Sequence, residues 1–213
     1  MNFDVLAPHY RWMELVCAGE KLQGCRTAHL AHVPAARHIL ILGEGNGRFL
    51  VECRRQYPHA IITVVDASAC MIELARKRLS RQGVKQDQIY FICADALAWT
   101  PPAGTFDLIV THFFLDCFRQ DQLELLIPKL ERAAAQNAHW LLADFQTAAA
   151  GWRRQRSRVI LWLMYRFFIA ATRLPARTLT RPDSLLERHG FRLCAREIYD
   201  CGLLHSDCWQ AVS

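Results

Sequence analysis

The chain lacks the cysteine spacings that metal and redox chemistry require. Its nine cysteines, at 17, 25, 53, 70, 93, 117, 194, 201 and 208, include no CxxC pair and no CxxxCxxC run. This argues against a zinc ribbon, a thioredoxin-like centre and a radical-type iron–sulfur site, and no metal is expected. The count is odd and several cysteines lie in apolar runs, as expected of reduced core thiols in a cytosolic protein. Cys194, Cys201 and Cys208 recur every seven residues, but in a stretch that reads as strand and loop, which offers no ligand geometry. No run of 18 apolar residues occurs, so no spanning segment is expected. The opening "MNFDVLAPHYRW" carries an acid and no apolar h-region, unlike a signal peptide. Repeats and low-complexity stretches are absent. The charge excess is small, +6 from 26 basic and 20 acidic residues. Solubility explains such an excess before nucleic acid or an anionic surface needs to be invoked.

What is present suits one domain. The 213 residues are 52% hydrophobic, enough for a sizeable core. Residues 1–34 read as a helical cap, interrupted at Gly19 and Gly24. "HILIL" (38–42), "AIITVVD" (60–66), "IYFICAD" (89–95), "FDLIVTHFF" (106–114) and "AHWLLADF" (138–145) read as strands. Helical spacing falls between them at 47–57, 68–83 and 120–135, the last with Pro128 inside it. A helical, insertion-like segment covers 146–180. A short helix at 181–191 and strands at 192–202 and 205–213 complete the chain. Alternating strands and helices predict an α/β fold: a doubly wound, mostly parallel, Rossmann-like sheet in three layers.

The first strand ends in Gly43-Glu44-Gly45-Asn46-Gly47. Glycines at alternate positions let the backbone turn sharply and approach a ligand, and the next helix presents its N–H groups there. Asp66 ends the second strand, where a carboxylate accepts hydrogen bonds from both hydroxyls of an adenosine ribose. A dinucleotide fingerprint would place a third glycine where Arg48 stands. At the third strand's end, Asp95 can accept from an adenine amine and Ala96 offers a backbone N–H. The fourth strand ends at Thr111, His112 and Phe113.

With these four strand ends in order, the sequence resembles the class I S-adenosylmethionine-dependent methyltransferases, in the small bacterial group similar to ubiquinone/menaquinone C-methylases. The resemblance is strong over 38–145 and loose elsewhere. It implies S-adenosylmethionine as cofactor, held by Gly43, Glu44, Gly45, Asn46, Gly47, Asp66, Ala67, Ser68, Met71, Asp95, Ala96, Thr111 and His112, with Tyr10 as an aromatic lid. The family usually has an acid two residues before its first glycine, and here that residue is Ile41. Glu44 either takes over the contact to the methionine amino group or is a solvated turn acid.

Direct displacement at a sulfonium is mostly a matter of alignment, so no single catalytic residue stands out. His112 could deprotonate a hydroxyl or enol. Asp116 and Asp144 are further candidates, with His205 and Tyr165 behind them. Residues 151–174, rich in arginine and then in aromatics, read as an apolar lid over a quinone- or lipid-like acceptor, as a peripheral membrane contact, or as a core helix. An RNA partner is not expected, for no RNA-binding motif accompanies the arginines. Two other functions stay open: a non-catalytic module on the same fold, and a nicotinamide-dependent oxidoreductase.

Overall fold

The computed structural model describes residues 19–33, 36–172 and 181–212, with the side chains of 165 and 167–172 left out. Tyr10 and the rest of 1–18 therefore lie outside the described residues, as does the Tyr165 side chain. Seven strands form one sheet in the order β3-β2-β1-β4-β5-β7-β6. The strands are β1 (His38–Leu42), β2 (Ile61–Asp66), β3 (Ile89–Cys93), β4 (Phe106–His112), β5 (Ala134–Phe145), β6 (Phe191–Tyr199) and β7 (Leu204–Ala211). The pairings β3-β2, β2-β1, β1-β4 and β4-β5 are parallel, and β7 runs antiparallel to both β5 and β6. Among the described residues the α-helices are α1 (Gly19–Thr27), α2 (Arg48–Gln56), α3 (Ala69–Arg81), α4 (Gln120–Ala133), α5 (Gly151–Thr172) and α6 (Asp183–Arg188).

The continuous apolar runs of β1 and β4 follow from burial on both faces. Ile39 and Ile41 pack with Ile62, Val64, Leu108 and Val110 under Phe49 and Leu50 of α2 and Leu79 of α3. Leu40, Leu42, Ile109, Trp140 and Leu142 pack on the opposite face against Leu123, Leu126, Ile127 and Leu130 of α4. A third cluster joins Leu22 and Cys25 of α1 and Leu161 of α5 to Ala143, Leu203 and Leu204. Helix–sheet–helix layering is thus as the alternation predicted.

Within the described part of the 1–34 segment, helix covers Gly19–Thr27 and a single turn covers Leu30–His32. Within 146–180, Gly151–Thr172 form one long helix, α5. β5 starts at Ala134 rather than 138, because the strand continues through a register shift opposite Phe106 and Leu108, with Asn137 at φ +59°. Asparagine tolerates that left-handed conformation better than most residues.

Candidate active site

Because β1 to β5 are parallel, their carboxyl ends open on one edge of the sheet. The glycine turn after β1 lies there. Gly43, Gly45 and Gly47 have φ values of +66°, +71° and +84°. A Cβ on Gly43 would run into the Phe114 ring, and one on Gly47 would meet the Ala75 Cα at 2.8 Å. The turn therefore needs glycine at both ends for two reasons: backbone sign and close approach. Gly43 N–H donates to Val65 O at 2.9 Å, tying the turn to the end of β2. Arg78 of α3 donates to Asn46 O at 2.8 Å.

Asp66 ends β2 and is half-buried beside the turn. Its carboxylate accepts from Ser68 N at 2.9 Å and from Gly45 N at 3.4 Å. Ala67 is exposed and Met71 buried at the start of α3. Asp95 lies past β3, exposed, and accepts from Leu97 N at 2.9 Å; Ala96 beside it is buried. Asp66 and Asp95 thus sit on one edge with the glycine turn, as the sequence suggested.

Three expectations need correction. Glu44 is not a solvated turn acid: it is 9% exposed and accepts from Leu50 N at 2.9 Å, capping α2. Burial pushes its carboxyl up to about 7, against the lowering effect of that bond and of Arg26. The Thr111 hydroxyl does not face the crevice; it accepts from the Trp140 indole at 2.8 Å within the core beneath α4. Alternation along β4 forces this, since His112 on the next position takes the opposite face. The Ser68 hydroxyl is also committed, accepting from Met71 N at 3.2 Å as the cap of α3.

His112 ends β4, with its ring edge-on to Phe49 at 4.5 Å between centroids. Neither ring nitrogen has a hydrogen-bond partner although the residue is buried. Burial, then the charges of Arg26 and His29, hold it well below the usual imidazole range, so it is neutral. Just past it, Phe113 adopts φ +53°, a conformation that costs a non-glycine residue of order 1 kcal/mol or more. The Phe113 ring lies tilted against Phe145, 5.1 Å between centroids, and its centroid is 5.3 Å from the Arg26 guanidinium carbon.

Asp116, in the turn after β4, and Asp144, at the end of β5, are both buried and lie within electrostatic reach of each other. Two buried carboxyls placed so close resist both being ionised. Burial raises Asp116 to about 6, and burial with the Asp116 charge raises Asp144 well above the carboxylate range. Asp144 Oδ1 has no partner, and the Cys117 thiol donates to Asp116 Oδ1 at 3.5 Å. Phe113, Phe114, Phe118 and Phe145 furnish the aromatic surroundings at this edge.

His205 does not join this group by a hydrogen bond. It is buried with Nδ1 at 3.1 Å from Asp207, within the β7 charge network. Arg26, by contrast, was missed. The signal lay in its spacing: Leu22, Cys25, Arg26 and His29 follow the i, i+3, i+4, i+7 rhythm of a buried stripe, with two basic residues in apolar positions. All four are buried. Among the described residues, no group of three or more His, Cys, Asp or Glu could hold a metal.

The family described as "Methyltransferase domain" matches residues 39–151, which hold the glycine turn, Asp66, Asp95, His112, Asp116 and Asp144. A demethylmenaquinone methyltransferase of Thermus thermophilus is 28% identical over 151 residues, covering 70% of this chain and 66% of that protein. A ribosomal RNA large subunit methyltransferase G of Aliivibrio fischeri is 41% identical over 85 residues, covering 38% of this chain and 22% of that protein. The chain thus spans less than two thirds of the length of these relatives. The N-methyltransferase NodS of Bradyrhizobium japonicum, solved with S-adenosyl-L-homocysteine, shares the fold at a TM-score of 0.62 and 15% identity, over 91% of this chain and 85% of that one.

Proposed function

From the premise that this chain belongs to the methyltransferase-domain family and takes S-adenosylmethionine as its cofactor, we propose that it methylates a small, apolar or aromatic acceptor that loses a proton from a hydroxyl or enol. The residues fit the cofactor. The glycine turn is a cradle that side chains would fill, Asp66 stands beside it for the ribose hydroxyls, and Asp95 stands at the adenine side. Glu44 serves there as the cap that fixes the turn against α2. When bound, the cofactor supplies a methyl group on a cationic sulfur, and the protein supplies alignment and electrostatics.

One observation carries the acceptor reading: a neutral, unpartnered His112 and two buried carboxyls, Asp116 and Asp144, lie at the strand ends among phenylalanines. A charged acceptor would lose its hydration there without a matching counter-charge from the carboxyl pair. A neutral hydroxyl or enol would instead find a base in His112 and a hydrogen-bonding partner in Asp144 Oδ1. The likeness to a demethylmenaquinone methyltransferase over 70% of this chain supports a quinol-like acceptor.

The test is methyl transfer from labelled cofactor to a panel of quinols, phenols, small carboxylic acids and ribosomal RNA. Quinols or phenols are expected to be methylated, and His112→Ala should lower kcat by about a hundredfold, the lower range for loss of a general base. Transfer to carboxylic acids or RNA alone would overturn the acceptor reading. Binding of the cofactor with turnover of nothing would favour a non-catalytic module.

A further inference from the structure

α5 presents to solvent a face that its packing does not explain. Its inner side is settled: Ser157 and Leu161 are buried, and Ile160 and Met164 pack on the cluster formed with Leu22, Cys25, Ala143 and Leu204. The outer side carries Trp152, Val159, Trp162 and Leu163, exposed by 65%, 56%, 59% and 56%. At 100° per residue, Trp152, Val159 and Leu163 fall on one line along the helix, with Trp162 beside it. Four large apolar side chains on one exposed stripe exceed the scattered exposure that surfaces normally show.

The charge on the same helix has one sign. Gly151–Thr172 contains Arg153, Arg154, Arg156, Arg158 and Arg166 and no acidic residue. Arg156 is used within the fold, paired with Asp200 at 3.0 Å. Arg153, Arg154, Arg158 and Arg166 form no ion pair with any described residue. Two of these guanidinium groups lie over the exposed indoles instead, Arg166 at 5.3 Å from the Trp162 ring and Arg153 at 5.9 Å from Trp152. No described helix is long and apolar enough to cross a membrane.

We propose that the outer face of α5 docks the protein on an anionic lipid bilayer. Tryptophan and leucine enter the headgroup boundary while the arginines meet lipid phosphates, the pattern of a helix lying in the interface plane. The one-signed charge selects lipid over a second copy of the chain, since two α5 faces brought together would oppose their arginines. The placement has a consequence for the active site. The cluster under α5 includes Phe113, Cys117 and Phe145, so docking sets the acceptor side of the crevice close to the bilayer. This goes beyond the acceptor reading and stands without it.

The experiment is co-sedimentation of the full chain with phosphatidylcholine vesicles, with and without phosphatidylglycerol, followed by tryptophan emission. Binding is expected only with the anionic lipid, with a blue shift and release by high salt. Arg153→Gln, Arg154→Gln, Arg158→Gln and Arg166→Gln together should weaken binding about a hundredfold or more, from the per-arginine surface attraction. Trp152→Ala with Leu163→Ala should weaken it even at low salt, where the attraction of the arginines is strongest, and should abolish the blue shift. Cofactor titration on the same variants shows that they fold and keeps this test separate from the methyl-transfer reading. Equal binding to both vesicle types, no binding to either, self-association through α5, or binding of the same face to RNA alone would each overturn the proposal.

Discussion

Asp116 and Asp144 are buried at the edge where the acceptor would lie, and their raised carboxyls have a thermodynamic signature. An aspartate in an unfolded chain titrates near about 3.9. In the fold burial pushes Asp116 up to about 6, and burial with the Asp116 charge raises Asp144 well above its ordinary value. Between those limits the folded state binds more protons than the unfolded one, so stability falls as pH rises through the window. Glu44, raised to about 7, contributes with the same sign. Asp144→Asn keeps the shape and removes one of the two raised carboxyls. Its stability relative to the natural protein should therefore increase from pH 4 to pH 8. Urea unfolding at several pH values checks this; two parallel pH profiles would contradict the raised carboxyl. Both aspartates were legible in the sequence because each follows a strand. Their proximity was not, since it joins residues 28 apart, and no local pattern records a tertiary contact. Thr111 misled for a local reason: one step along a strand exchanges the crevice for the core.

At the scale of elements, the glycine turn binds three pieces together: β1, α2 and α3. Gly47 starts α2 with φ +84°, and a Cβ there would press on the backbone of Ala75 in α3. Gly104 has a similar φ of +59° but open space around it. Comparing Gly47→Ala with Gly104→Ala separates conformation from contact. Gly104→Ala should cost about 1 kcal/mol, the price of the backbone sign alone. Gly47→Ala should cost about 3 kcal/mol and weaken cofactor binding, because two helices must separate. Chemical denaturation and calorimetry measure both; equal costs would mean that the α2–α3 contact is soft. The strands and this turn were readable because buried parallel strands leave unbroken apolar runs that stop at glycine. α5 was harder: aromatic residues in a helix look alike whether they face a core or a surface. Only the packing showed that Leu161 turns inward and Trp162 outward.

Across the whole molecule, the terminal hairpin is held by charge as well as by apolar contact. Arg196 of β6 donates to both oxygens of Asp207 on β7, at 2.7 and 2.6 Å, and also to Asp183 at the start of α6. Asp207 is wholly buried, and the guanidinium holds its carboxyl below the usual range despite that burial. Removing Arg196 leaves the buried Asp207 carboxylate with only His205 beside it, so Arg196→Ala should cost about 3 kcal/mol. The double variant Arg196→Met with Asp207→Asn should recover most of that loss in thermal unfolding. A loss as large in the double variant would show that the ion pair is incidental to holding β6, β7 and α6 together.

The cofactor ties these scales together, and calorimetric titration of the full chain with S-adenosylmethionine, S-adenosylhomocysteine and NADH addresses it most directly. The natural protein should bind both adenosyl ligands with Kd in the range of about 1–100 μM, or −8 to −5 kcal/mol, and should ignore NADH. Asp66→Ala, shown by its melting curve to be folded, should lose that binding. Tight binding of NADH, or adenosyl binding that survives loss of Asp66, would contradict the assignment of this strand edge as the cofactor site.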